Sequence, residues 1–185
     1  LTDQNPFCQN INADKEEVFL MFREMRRSGQ MLTIKECEEI MKRNTAGVLA
    51  VSGDDGYPYA VPLSYTYADG KIYIHSAKTG HKVDSILRNA KVSFCVVDKD
   101  EVAPEKYTTY FRSVIIFGKA KTLESDAEKR DMLEKLVEKY SSQYKEGSSR
   151  EIERSLNSVL GIVIEIEHMT GKEAIELKRR RDQQK

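Results

Sequence analysis

The densest group of chemistry-bearing side chains lies in "HSAKTGHK", residues 75–82. There His75, Ser76, Lys78, Thr79, Gly80, His81 and Lys82 crowd the junction between an alternating stretch and a helical one. First-turn amides of a helix lack intrahelical acceptors, and an ammonium beside them adds a charge-assisted contact, so such a junction can receive a phosphate. The same residues equally suit a solvated turn with basic groups on its surface. The nucleotide-binding spacings GxxxxGK[ST] and GxGxxG are absent. His75 can donate to a bound ring, move a proton near neutral pH, or hold a structural hydrogen bond. The row Tyr57, Tyr59, Tyr65, Tyr67 and Tyr73 can stack on a planar ligand, and it also fits a barrel wall or a dimer interface.

Other chemistries find little support. His75, His81 and His168 and the cysteines Cys8, Cys37 and Cys95 have no compact ligand spacing, so no metal site is expected. Cys37 falls on the apolar face of a helix, Cys95 inside a strand and Cys8 in an N-terminal arm, which reads as three ordinary thiols. Three widely separated cysteines point to a reducing, cytoplasmic setting rather than a disulfide framework. The 185 residues carry 30 basic and 30 acidic side chains, so no global field recruits nucleic acid or an acidic membrane. No apolar run reaches membrane-spanning length, and the first residues lack the order of a secretory signal. The basic end "KRRRDQQK" reads as a solvent-facing tail.

The elements that must position this junction follow from periodicity. Residues 1–30 read as a polar arm and a helix in "KEEVFLMFREMRRSG", with Val18, Met21, Phe22 and Met25 at helical spacing. "TIKECEEIMKRN" is a second helix. Thr33 and Glu36 form its capping box, and Ile34, Cys37, Ile40 and Met41 its apolar face. From Thr45 the period falls to two: "TAGVLAVSG" and "YPYAVPLSYTYA" are strands, the latter an edge strand because Pro58 and Pro62 have no N–H. Asp69-Gly70 turns into "KIYIHSA", and a helix from Gly80 is expected to bury Val83, Ile86 and Leu87. "AKVSFCVVD" is a strand, "KDEVAPEKYTTYF" a polar connection, and "RSVIIFGKAKTLES" a long strand with a bulge or close approach at Gly118. Asp126 N-caps a helix with Met132, Leu133, Leu136 and Val137 on its stripe. A polar loop through Gly147 and a short helical piece lead to a last strand, "SVLGIVIEIEHM". The sum is a mainly β domain over residues 31–175 with flanking helices, six strands in a small antiparallel barrel or sandwich, and a charged tail at 176–185.

These segments carry a resemblance. "VLAVSGDDGYPYAVPLSYTYADGKIYIHSAKTGHKVDSILRNAKVSFCVVD", then "YFRSVIIFGKA" and "IEIEHMTGKEA", resemble the FMN-binding split-barrel proteins related to pyridoxamine 5'-phosphate oxidase, and among them the nitroimidazole-resistance group. The resemblance implies a six-stranded antiparallel split β-barrel and a homodimer with two composite FMN sites at the subunit interface. Its first flavin-contact strand matches Val61, Pro62, Leu63 and Ser64; its second, with the phosphate loop, matches His75, Ser76, Ala77, His81 and Lys82. Arg112 and Ser113 match a strand that reaches the flavin of the partner subunit, and Lys172 a recurrent segment after the last strand. Where the oxidases carry Arg-Lys this chain has His81-Lys82, which points away from vitamin B6 oxidation. The implied activity is an FMN-dependent oxidoreductase acting on a small oxidised compound such as a nitroaromatic, with NADH or NADPH as electron donor. The alternatives are a flavin-binding protein for storage or regulation and a split barrel holding haem or a deazaflavin.

Overall fold

A computed structural model describes residues 22–183. The alternating runs form β1 (Ala46–Ser52), β2 (Pro58–Ser64), β3 (Thr66–Ala68), β4 (Lys71–Ser76), β5 (Lys91–Ala103), β6 (Thr108–Leu123) and β7 (Leu160–Glu173). All pair antiparallel in one sheet of order β2-β1-β5-β6-β7-β4-β3. The expected count of six is corrected to seven, because the tyrosine-rich strand divides at Tyr65. Its first half, β2, pairs with β1, and its second half, β3, pairs with β4. No ladder joins β2 to β3, so the hydrogen-bonded ring of a barrel is not formed; the two ends of the sheet meet only through the chain at Tyr65.

The division has a physical cause. Tyr65 is fully buried, its hydroxyl donates to the Met41 carbonyl at 2.9 Å, and its ring meets Phe94 edge to face. Its backbone N–H and C=O both bond the Tyr140 hydroxyl, at 3.1 and 2.6 Å, in place of a neighbouring strand. Pulled inward at that residue, the strand leaves one neighbour and joins another.

Helices pack against one side of the sheet and part of the other. The helix α1 (Ile34–Arg43) starts at the Thr33–Glu36 capping box and buries Cys37, Ile40 and Met41 in the main core beside Leu49, Phe94 and Ile164. Ile34, expected on that face, is exposed. In α2 (His81–Arg88), Val83 and Ile86 are buried, whereas Leu87 is 69% exposed; with only eight residues the helix presents a face too narrow to cover it. The helix α3 (Asp126–Tyr140) is capped by Ser125, which forms a capping box with Glu128, so Asp126 is a first-turn residue and not the cap. Its stripe of Met132, Leu133 and Leu136 packs with Ile152 and Leu156 against Tyr73, Leu123 and Val163. Gly147 lies inside a further helix, α4 (Lys145–Leu156), where a polar loop was expected.

The expected polar connection at 99–111 is a long hairpin. β5 and β6 stay paired out to Ala103↔Thr108 around a four-residue connection, 104–107, in which Pro104–Lys106 form a 3-10 turn. Gly118 carries both expected features: the β6–β7 register shifts there, and an added Cβ would stand 2.3 Å from the Glu165 carbonyl oxygen. Residues 176–182 belong to a helix, α5 (Ile175–Asp182). Of the expected N-terminal helix, Val18 and Met21 lie outside the described residues, as does Cys8. Residues 22–27 are not helical, and Ser28–Gln30 form one 3-10 turn.

Candidate functional site

The fork at Tyr65 opens a cleft, and its two lips are the two strands predicted to bind a flavin. The β3–β4 ladder stops at Thr66↔Tyr73. Carried past that pair, the same register would set Ser64 across from His75 and Leu63 across from Ser76, yet neither pair forms. Beyond the fork β2 keeps only β1 as neighbour, so the backbone edge of residues 58–64 is free. Along that edge the side chains of Val61 and Leu63 pack on the core, while Pro62 and Ser64 are exposed. Val61 and Leu63 therefore offer the cleft no side chain. Ser64 and His75 line one cavity together.

Behind the second lip runs the loop Ala77–Gly80, all exposed. Gly80 has φ 128°, a left-handed backbone conformation that a side chain strains, and it opens α2 with no side-chain cap. Its carbonyl takes the amides of Val83 and Asp84, at 2.8 and 3.0 Å. The amides of His81 and Lys82, ahead of these, keep the unmet hydrogen-bonding capacity of a helix start. Two further observations suit an anion at this place. The buried Ser76 hydroxyl has no hydrogen-bond partner. Lys82 is half-buried, burial pushes its ammonium below the ordinary lysine range, and no carboxylate among the described residues pairs with it. An unpartnered buried hydroxyl, a desolvated cation and free helix amides together fit a phosphate.

His81 is disposed otherwise. Its ring stacks on Tyr59 at 4.1 Å between centroids, and its Nε2 lies 3.5 Å from the Asp54 carboxylate, which Arg88 also holds at 2.6 Å. Sequence reasoning missed Asp54 and Arg88, because neither stands near His81 in the pattern that suggested an anion site.

The remaining candidates sit elsewhere. Lys172 pairs in register with Ser113, and His75 with Gly161, so these groups occupy opposite ends of β7. A strand of 14 residues spans on the order of 45 Å at about 3.3 Å per residue. One chain therefore does not bring Arg112, Ser113 and Lys172 to the cleft. Arg112 is committed locally: it bonds Glu173 at 3.0 Å and approaches Asp98 at 3.4 Å. Glu173 is 0% exposed and also receives Arg181 of α5 at 2.7 Å, and Arg43 reaches Asp98 at 2.6 Å. Lys172 lies 5.4 Å from the Phe111 ring centroid. This network joins α1, β5, β6, β7 and α5, and no local spacing announced it.

Part of the outer face of the sheet is apolar. Val48, Val97, Ile115 and Phe117 are exposed there, while the alternate residues Leu49, Val96, Val114 and Ile116 are buried. Cys95 lies between Val48 and Ile115 in register, and Ser113 opposite Val97. Burial pushes the Cys37 thiol up to about 11, so it stays protonated and unreactive near neutral pH. Among the described residues no three His, Cys, Asp or Glu side chains are placed to hold a metal, and no helix is long and apolar enough to cross a membrane.

Comparison with known proteins gives the fold a context. A family profile described as pyridoxamine 5'-phosphate oxidase matches residues 33–173. A solved protein of Bacteroides thetaiotaomicron, described as a 5-nitroimidazole antibiotic resistance protein, is similar with TM-score 0.65 at 23% identity over 77% of this chain and 85% of its own. A conserved hypothetical protein of Mycobacterium tuberculosis has TM-score 0.71 at 21% identity, covering 81% of this chain and 90% of that one. A FAD-binding protein of Mesorhizobium loti has TM-score 0.57 at 28% identity, covering 78% and 97%. Likeness at the first two identities speaks for the fold alone. Among curated proteins none matches.

Proposed function

Because the chain belongs to the pyridoxamine 5'-phosphate oxidase family, we propose that it is a flavin-dependent oxidoreductase whose cleft at Tyr65 holds FMN. The observation that carries this reading is the pairing of a free strand edge with an unpartnered Ser76 hydroxyl and an unpaired, desolvated Lys82. Lys82, the Ser76 hydroxyl and the free amides at the start of α2 hold the phosphate. The strand of Val61, Pro62, Leu63 and Ser64 lends its free edge to the ring system through the backbone groups of Pro62 and Ser64, with those of Val61 and Leu63 turned to β1, and Ala77 lets the loop approach it. His75 and Ser64 face the reacting side. The flavin supplies electron and hydride transfer, which no side chain here provides. Overall, NADH or NADPH loses a hydride, and a small oxidised compound gains two electrons and two protons, the second proton coming from solvent. His81, paired with Asp54 and stacked on Tyr59, orients the loop and does not clamp the phosphate.

A second copy of the chain completes the site in this reading. Val48, Val97, Ile115 and Phe117 form an exposed apolar patch of the kind another subunit covers. Ser113 and Lys172, cross-strand neighbours at the end of β7 remote from the cleft, then reach the partner subunit's flavin. Arg112 anchors that end through Glu173.

The test is direct. Protein purified without added cofactor is denatured and the released flavin identified. FMN is expected, and the loaded protein reduced by NADH or NADPH should be reoxidised by a 5-nitroimidazole. Release of no flavin after reconstitution rejects the cleft as a flavin site. A bound flavin that neither nicotinamide reduces, and that passes electrons to no acceptor after chemical reduction, leaves a binding protein rather than an enzyme.

A further inference from the structure

The helices α3 and α4 roof the cleft as well as the sheet. A cavity of about 320 Å³ lies between them and the fork. Leu136 and Val137 of α3 and Ile152 and Ser155 of α4 wall it, and Ser64 and His75 stand at its strand side. Building on the flavoenzyme reading above, we infer that this cavity binds the electron acceptor, and that the acceptor is a small uncharged molecule with a hydrogen-bonding group at one end.

Size and lining carry the inference. Small-molecule sites start at volumes of about 300 Å³ and are apolar with a few placed polar groups. Most of the lining surface is apolar; of its polar residues, Ser64 and His75 sit on the two lips of the cleft, Tyr140 and Ser141 at the end of α3, and Glu151 and Ser155 on α4. A molecule held here lies against the strand edge assigned to the flavin ring. Charge selects the class. Among the described residues no lysine or arginine lines the cavity, and its one formally charged wall residue, Glu151, is ion-paired with Arg154 at 3.2 Å. A phosphorylated substrate would bring its anion to a carboxylate and find no cation, whereas an uncharged ring meets aliphatic walls and a donor at one end. The departure from vitamin B6 chemistry then resides in the α3–α4 roof as well as in the His81-Lys82 pair.

Two variants test this from opposite walls. Ser155 makes no side-chain hydrogen bond among the described residues, and Val137 is half-buried, so Ser155→Phe and Val137→Phe fill the cavity without emptying the core. Binding of nitrobenzene, and of benzoate as an anionic counterpart, is measured by saturation-transfer NMR on flavin-free and flavin-loaded protein. Nitrobenzene should bind both forms of the parent protein and bind each folded variant at least about tenfold more weakly, the effect of losing roughly 1.4 kcal/mol. Benzoate should bind neither form, and FMN affinity should stay at the parent value in both variants. Failure of the flavin reading would leave the flavin-free result standing, so the two claims separate. If Ser155→Phe does not fold, Val137→Phe makes the same comparison. No nitrobenzene binding to the parent protein, undiminished binding in the folded variants, or benzoate binding as tight as nitrobenzene overturns the inference.

Discussion

The hydroxyl of Tyr140 stands 2.6 Å from the carbonyl oxygen of Tyr65 and 3.1 Å from its amide nitrogen, and 2.7 Å from the carbonyl of Thr45. One side chain from α3 thus satisfies the backbone at the point where β2 gives way to β3. Tyr140→Phe leaves the Tyr65 amide without its partner in a part-buried position. An unsatisfied group of this kind costs about 1–3 kcal/mol, and the midpoint of urea unfolding should fall accordingly. An unchanged midpoint would mean that the strand break does not depend on this contact.

Lys82→Ala separates phosphate recognition from the fold. Losing one charge-assisted contact worth about 1.5–3 kcal/mol should weaken FMN binding by about one to two powers of ten. Riboflavin, which has no phosphate, should lose far less. Fluorescence titration of both flavins decides it, and equal losses would reject Lys82 as the clamp.

Glu173→Ala leaves Arg112 and Arg181 facing each other around a buried hole. Removing one member of a buried ion pair typically costs about 3–5 kcal/mol, so this variant should be among the least stable single substitutions in the chain. Chemical denaturation should show Arg181→Ala to be milder, since Arg112 still neutralises the carboxylate. The opposite ranking would place the anchor in α5 instead of β7.

Lys139 gives stability a pH dependence of known sign. Burial pushes its ammonium down to about 8, and its nitrogen lies 4.1 Å from the Tyr65 ring centroid. Between that value and the ordinary 10.5 the unfolded chain holds more protons than the folded one. The penalty of burying the charge is full below pH 8 and is relieved as pH rises toward 10.5. Lys139→Met should remove this rising component from unfolding free energies measured across that window. An identical slope in parent and variant would assign it to other groups.

Local signals in the sequence were legible where a few adjacent residues carry the whole cause. Asp69 and Gly70 take positive φ, 53° and 71°, in the tight turn their pairing announced. Thr33 and Glu36 make both halves of their capping box. The β5–β6 hairpin was not legible, because its charged residues show no alternation and it buries apolar groups only near its end, at Ala103 and Tyr110 against Ala174. The fork at Tyr65 escaped for a different reason. Its decisive partners, Met41 and Tyr140, are remote in sequence, and a run of alternating tyrosines reads as one strand until an outside hydroxyl takes its backbone bonds. Residues 61–64 and 75–77 were located by motif, but only the extrapolated register shows them as facing lips.

Two adjacent strand edges with unspent hydrogen bonds should heal, zipping together until the gap is gone. Pro62 stands in β2 opposite Val48, and a proline in an edge strand turns its missing donor away from its neighbour, here toward the opening. Zipping through Ser64↔His75 and Leu63↔Ser76 would meet no proline, but one step further Pro62 would leave an acceptor without a donor. An absence thus limits how far the opening can shrink: one hydrogen that the ring of a proline replaces leaves the far part of the seam with nothing to fasten it.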